Sequence, residues 1–189
     1  MLTTTQNETV SGVKDHRLHC PGVLARLQAC HDDIRKRLDV LEAVGHDLLA
    51  SGRFTRRHLA SMCDAFAFLD VVVPLHTADE EETLFPELCL RERRTSRPSR
   101  ALAIARSEHA GHGVLDLRLK IAVLRREAKA AGRLAIDLAR EYRDHLCHEE
   151  QSLFPWAAEV LTDPELLAEM EKEMRERWRD CGMDVPGMR

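Results

Sequence analysis

Aromatic residues make up only 4% of this 189-residue chain, which has one Tyr, 9 Gly and 7 Pro. Few loop formers, with Leu, Ala, Glu and Arg abundant, give the composition of a helical protein. No segment alternates apolar and polar residues with period two, so strands are not expected. No apolar run reaches the roughly 18 residues that span a bilayer, and no membrane partner is expected. The first residues, Met1 to Asp15, are Thr-, Ser-, Glu- and Asn-rich and lack the apolar stretch of a secretory signal, so the expected location is cytoplasmic. The six cysteines are scattered without a C-x-x-C pair, which predicts reduced thiols rather than a disulfide framework. With 28 basic and 32 acidic residues, the net charge of −4 offers no global attraction for nucleic acid. The six arginines between Arg91 and Arg106 have no interleaved aromatics and read as a solvated loop. Phosphate-loop, nucleophile-elbow and H-E-x-x-H motifs are absent, as are the E-x-x-H pairs of ferritin-type di-iron bundles.

The chain is rich in one residue, with ten histidines. They lie along helical stripes. Leu24, Leu27, His31, Ile34, Leu38, Leu41 and Leu48 recur at the 3,4 spacing of a core-facing seam that stops at Ser51-Gly52. Thr55 caps a second stripe of Leu59, Met62, Phe66, Leu69, Val73, His76, Glu80 and Leu84, which Pro74 should kink without ending. A third helix is expected from about Ser99 to Ala131, carrying Leu102, His109, His112, Leu115, Leu119 and Val123, with Gly132 as its breaker. A fourth runs from about Leu134 to Leu161 with Leu138, Tyr142, His145, Glu149, Leu153 and Trp156. Asp163-Pro164 starts a short fifth helix ending near Arg179. The expected fold is all-α: an up-down-up-down four-helix bundle over residues 21–161, after a tail over 1–20 and before a C-terminal helix and tail over 162–189.

Two segments repeat. His76 to Pro86 and His145 to Pro155 both read H-x-x-x-E-E-x-x-L-F-P, with six identical positions at identical offsets. Residues four apart share a helix face, so His76 with Glu80 and His145 with Glu149 each point an imidazole and a carboxylate inward. His31 and His109 lie on the inward seams of the other two helices, with His112 one turn beyond His109. Buried without partners, such groups would cost several kcal/mol each. Metal ions relieve that cost, because neutral imidazole and carboxylate are their ligands. Two Glu on facing helices can each bridge a pair of ions, with His completing the outer positions. Ligation by nitrogen and oxygen without thiolate suits iron or manganese, and iron is the redox-capable choice.

The order H … H-x-x-x-E … H … H-x-x-x-E, with L-F-P after each carboxylate motif, resembles the hemerythrin-like (HHE cation-binding) family between His31 and Trp156. The resemblance implies a non-haem centre of two iron ions with an oxo or hydroxo bridge. It makes His31, His76, His109 and His145 terminal ligands and Glu80 and Glu149 bridging carboxylates. Oxygen-carrying hemerythrins have two His four residues apart on the third helix, where this chain has His109 followed by Gly113, and H-x-x-x-x-D in the fourth. The four-His, two-Glu set is closer to bacterial hemerythrin-like proteins and iron-centre repair proteins, although no vicinal cysteine pair of the repair type is present. Glu108-His109 matches the family's Glu-His pair in this helix and favours His109 over His112. The reverse assignment stays open, since His112 precedes Leu115 and Leu119 much as His31 precedes Ile34 and Leu38.

His16, His19, His46, His58 and His148 are off the seams or in the tail and are expected at the surface. Glu81 and Glu150 point about 100° away from the bridging carboxylates, as surface groups or supports behind the ligands. Tyr142 is expected in the core, and Cys30 and Cys147 to point away from the ligands. The family likeness implies a small-molecule partner: dioxygen, nitric oxide or peroxide, met by binding, sensing or detoxification. Donating iron to damaged iron centres, or degrading peroxide as an enzyme, are the alternatives.

Overall fold

The computed structural model describes residues 22–92 and 99–183. The expected N-terminal tail with His16, His19 and Cys20, most of the Arg-rich loop and the last residues lie outside them. α1 (Val23–Ser51) ends where Gly52, at φ 68°, returns its N–H to the Leu48 carbonyl. α2 (Arg56–Ala78) starts at Thr55, whose hydroxyl accepts from the His58 N–H while His58 Nδ1 accepts from the Thr55 N–H. His58 is therefore a buried capping residue rather than a surface one. Pro74 lies inside α2 without ending it.

The second rod continues through a π-helical turn (Asp79–Leu84) into α3 (Phe85–Glu92). After α4 (Ser99–Leu124), α5 (Ala128–His148) repeats the device, passing through a π turn (Glu149–Leu153) into α6 (Phe154–Val160). Both π turns follow from the repeated Pro. A proline removes its own N–H bond and its ring crowds the carbonyl four residues back. Widening the turn relieves this, and Phe85 and Phe154 bond back five residues to the carbonyls of Glu80 and Glu149. α7 (Pro164–Asp180) is capped by the Asp163 carboxylate.

The four rods alternate in direction. One apolar cluster gathers Leu38, Leu41, Met62, Leu69, Leu119 and Leu138, and a second gathers Leu24, Leu27, Phe85, Leu102, Leu153 and Phe154. α1 and α4 run from the second cluster to the first, and the α2–α3 and α5–α6 rods run back. All the repeated His and Glu fall between the two clusters. α7 packs across the first π turn and α1. The Arg56–Arg91 rod is long and apolar enough to span a membrane by composition alone, but its Met62, Ala65, Leu69 and Val72 are spent on the core. The cysteines Cys30, Cys63, Cys89, Cys147 and Cys181 are free thiols.

The third helix is shorter than the sequence suggested. It stops at Leu124, the chain turns through Arg126 at φ 59°, and Gly132 lies inside α5 rather than at a break. Gly132 is where α5 crosses α1. A Cβ on it would lie 2.8 Å from the Gly45 carbonyl oxygen, and one on Gly45 would lie 2.9 Å from that of Gly132. The glycine pair thus sets how closely the two helices approach. Gly132→Ala should lower unfolding free energy by about 1–3 kcal/mol in urea denaturation. Gly111→Ala, whose Cβ meets nothing within 4 Å, should instead raise it by about 0.5–1 kcal/mol. Equal effects would show that the crossing is not tight.

Candidate metal centre

Between the two apolar clusters, His31, His76, Glu80 and Glu149 form one group whose donor atoms lie within 4.8 Å of one another. Glu80, His109, His145 and Glu149 form a second. All six candidate residues from the sequence meet here, and the two groups share both carboxylates. Glu80 Oε1 lies 3.4 Å from His76 Nε2 and 3.9 Å from His31 Nε2, while its Oε2 lies 3.3 Å from His109 Nε2. Glu149 Oε2 lies 3.4 Å from His31 Nε2, while its Oε1 lies 3.4 Å from His145 Nε2 and 3.8 Å from His109 Nε2. Each carboxylate therefore turns one oxygen toward each pair of imidazoles.

The donor set fits metal ions. Both oxygens of Glu80, both of Glu149 and His109 Nε2 are buried without a hydrogen-bond partner. The Nε2 atoms of His31 and His76 face each other at 3.1 Å. Bonds of about 2.0–2.2 Å from a central ion to nitrogen and oxygen place neighbouring donors about 3 Å apart, close to the observed spacings. Orphaned carboxylates are costly in a dry core, and a cation between them removes that cost.

Behind the donors, carboxylates hold the outer ring nitrogens. His31 Nδ1 donates to Glu150 Oε1 at 2.8 Å, His109 Nδ1 to Glu81 Oε1 at 2.8 Å, and His145 Nδ1 to Glu108 Oε2 at 3.0 Å. Such bonds fix tautomer and ring orientation so that Nε2 presents its lone pair. The second Glu of each repeated Glu-Glu pair thus reaches across to a His on another helix. Gln28 and Arg35 also bond Glu150. His76 Nδ1 alone has no partner. The residue before His109 is Glu108, which serves His145; the corresponding residue before His31 is Cys30, which brings no carboxylate.

The L-F-P segments finish the packing. Phe85 stacks on His109 with ring centroids 6.1 Å apart, and Phe154 stacks on His31 at 5.1 Å. Leu84 and Leu153 are fully buried. Asp79, beside Glu80, is buried and accepts from Trp178 Nε1 at 2.7 Å, with the Arg177 guanidinium on its other oxygen and Arg26 Nη2 at 3.6 Å. α7 is thereby pinned to the turn that carries Glu80. Neither Glu108 nor Asp79 stood out as a support in the sequence, because each lies off the repeated stripe. The duplicated second Glu was the one visible signal for such supports.

His112 is buried but outside both donor groups. It stacks on Tyr142 at 3.9 Å and meets His145 edge-on at 5.0 Å. His148 is half-buried, 3.7 Å from Glu108. A cavity of about 20 Å³, lined by His76, His109, His112, His145 and Tyr142 among others, adjoins the donors. It is large enough for a water-sized molecule.

The metal-free electrostatics are divided. Burial opposes charge on His31, but Glu149, Glu150 and Glu80 outweigh it and lift the imidazole to about 10. His109 rises to about 9, as Glu80 and Glu81 overcome burial. Burial, helped by neighbouring imidazoles, drops His76 to about 4 and His145 to about 2. Burial and the charge of Glu80 raise Glu149 to about 8, whereas burial of Glu80 is overridden by His76, His109 and His31 and its pKa falls. The two carboxylates are thus driven in opposite directions.

A family model, the hemerythrin HHE cation binding domain, matches residues 23–157. No curated protein and no solved structure gives a match.

These shifts predict the pH response of the metal-free protein. The raised His31, His109 and Glu149 contribute stability that is lost as pH rises toward their folded values, and the lowered His76 and His145 contribute stability lost below about pH 6.5. Metal-free protein should melt highest near pH 6, with melting temperature falling on both sides. The rise on adding metal should grow between about pH 6 and 8, because metal displaces those protons. Differential scanning fluorimetry with and without chelator reads both, and a melting temperature flat across that range would contradict the charge distribution.

Proposed function

From the premise that the chain belongs to the hemerythrin HHE cation-binding domain family, we propose that it is a non-haem di-iron protein that handles small oxidants in the cytoplasm. His31 and His76 would hold one ion and His109 and His145 the other, with Glu80 and Glu149 shared between them. The observation that carries this reading is that each carboxylate turns one oxygen toward each imidazole pair. Manganese has the same ligand preferences and is the alternative metal.

Two iron ions supply reversible electron transfer and a Lewis-acidic position for a small ligand. The chain does the rest. Glu81, Glu108 and Glu150 keep three imidazoles oriented, and the Phe85 and Phe154 rings and the two apolar clusters exclude water. The water-sized cavity of about 20 Å³ beside His76, His109 and His145 adjoins the donors and marks the side from which dioxygen, nitric oxide or peroxide would approach. Binding or sensing of such a molecule is favoured over iron donation to other proteins, because five of the six donors are almost fully buried and three of the imidazoles are braced. Turnover of peroxide would make the same site an enzyme.

Anaerobic iron loading of the full chain should give two irons per chain, with new charge-transfer absorption on exposure to air. Glu80→Ala and Glu149→Ala should each remove most of the metal and lower the melting temperature, whereas His148→Ala should do neither. Equal metal loss in all three variants would remove the assignment of these ligands. A folded wild-type chain that binds no metal would end the reading altogether.

A further inference from the structure

The six donor residues are sealed unequally. His31, His76, Glu80, His145 and Glu149 are at most 3% exposed, while His109 is 8% exposed. α2 and α4 stand apart, and the space between them is a cleft of about 700 Å³ that reaches His109. Val73, Thr77, His109 and Tyr142 line both this cleft and the small cavity against His76 and His145. Cleft and inner cavity therefore adjoin along these side chains, and His109 Nε2 lies 3.3 Å from Glu80 Oε2.

The lining of the cleft suits a cation. Asp70, Glu81, Glu82 and Asp116 line it with Lys120. Lys120 pairs with both Asp70 and Asp116, Arg177 reaches Glu82 from α7, and Glu81 holds His109, so the acidic groups still outnumber the cations. A cleft dominated by one sign of charge raises the local concentration of counter-ions and speeds their capture. Gly113, one turn after His109 on α4, leaves the approach open, and a Cβ there would meet nothing within 4 Å. On the opposite side, His31 is fully buried, with Glu150 on one ring nitrogen and Phe154 stacked on its face.

We propose that the α2–α4 cleft is the entrance for hydrated divalent cations. They reach the His109–His145 half of the centre first, and the His31–His76 half is filled only through it. The inference rests on the two-ion reading above. Glycine at 113 is what keeps this entrance clear: Cβ atoms on a helix tilt toward its N-terminus, so a side chain at 113 would lie over His109.

Metal-free full-length protein mixed with Co(II) in a stopped-flow instrument tests this through the visible absorption of the bound ion. Gly113→Phe should slow uptake about tenfold or more, the scale on which blocked or steered access changes association rates, and leave the final stoichiometry unchanged. Gly111→Phe, on the same helix and outside the cleft lining, should load at the wild-type rate. The double variant Glu82→Gln/Asp116→Asn should load more slowly and lose most of its dependence on ionic strength. Wild-type uptake by Gly113→Phe, or equal slowing by Gly111→Phe, would overturn the entrance. Absence of Co(II) uptake by folded wild-type protein would instead sink the metal centre itself, so the two failures are distinct.

Discussion

Four imidazoles and two carboxylates buried in one layer of a helical bundle are the constraint on which the rest of this structure depends. Apolar clusters close the layer from both ends, and both oxygens of Glu80 and of Glu149 lie buried without a hydrogen-bond partner. An uncompensated carboxylate in such a place costs several kcal/mol, and this layer contains two. The fold gathers the donors into two groups that share both carboxylates, an arrangement that bound metal would relieve of its cost. Rod direction, glycine crossings and the clasp of α7 all act to hold those donors in register.

The repeated H-x-x-x-E-E-x-x-L-F-P segment does several jobs at once. Its His and first Glu face inward at helical spacing. Its second Glu reaches an imidazole on another helix, Glu81 to His109 and Glu150 to His31. Its Leu fills the core, its Phe covers that same distant imidazole, and its Pro forces the π turn in which the carboxylate lies. A π turn displaces everything beyond it by one residue relative to an α-helix. The Phe that follows is thereby brought round to the His it covers, so proline in this segment sets the site rather than merely ending a helix.

Two departures from symmetry divide the halves of the centre. Glu108 braces His145, while Cys30 at the matching position leaves His76 Nδ1 without a partner. α1 packs tightly on both α2 and α5, while α2 and α4 are separated by an acidic cleft. One half is closed by protein and the other borders solvent. The Asp79 network adds a further inequality, since Trp178 and Arg177 anchor only the first π turn. A duplicated motif has thus been placed in two different environments.

Helical class, rod order and the inward-facing His and Glu were legible in the sequence because they depend on local periodicity: 3.6 residues per turn places i and i+4 on one face whatever lies opposite, while the choice of His109 over His112 came from the family resemblance. Thr55, Gly52 and Asp163 were legible for the same reason, since a cap acts on its own helix. Gly132 was misleading, because a glycine that ends a helix and one that admits a neighbouring helix look alike until the neighbour, Gly45, is in place. His58 looked like a surface residue until its bond to the backbone of Thr55 was seen. Only the tertiary structure could assign Glu108 to His145, Asp79 to Trp178 and His109 to the cleft. Those pairings join residues 37 and 99 positions apart or depend on how far two helices separate. The sequence by itself determined which side chains point inward, a property of each helix alone; the packing of the rods decided which of them meet, which are braced and which one faces the solvent.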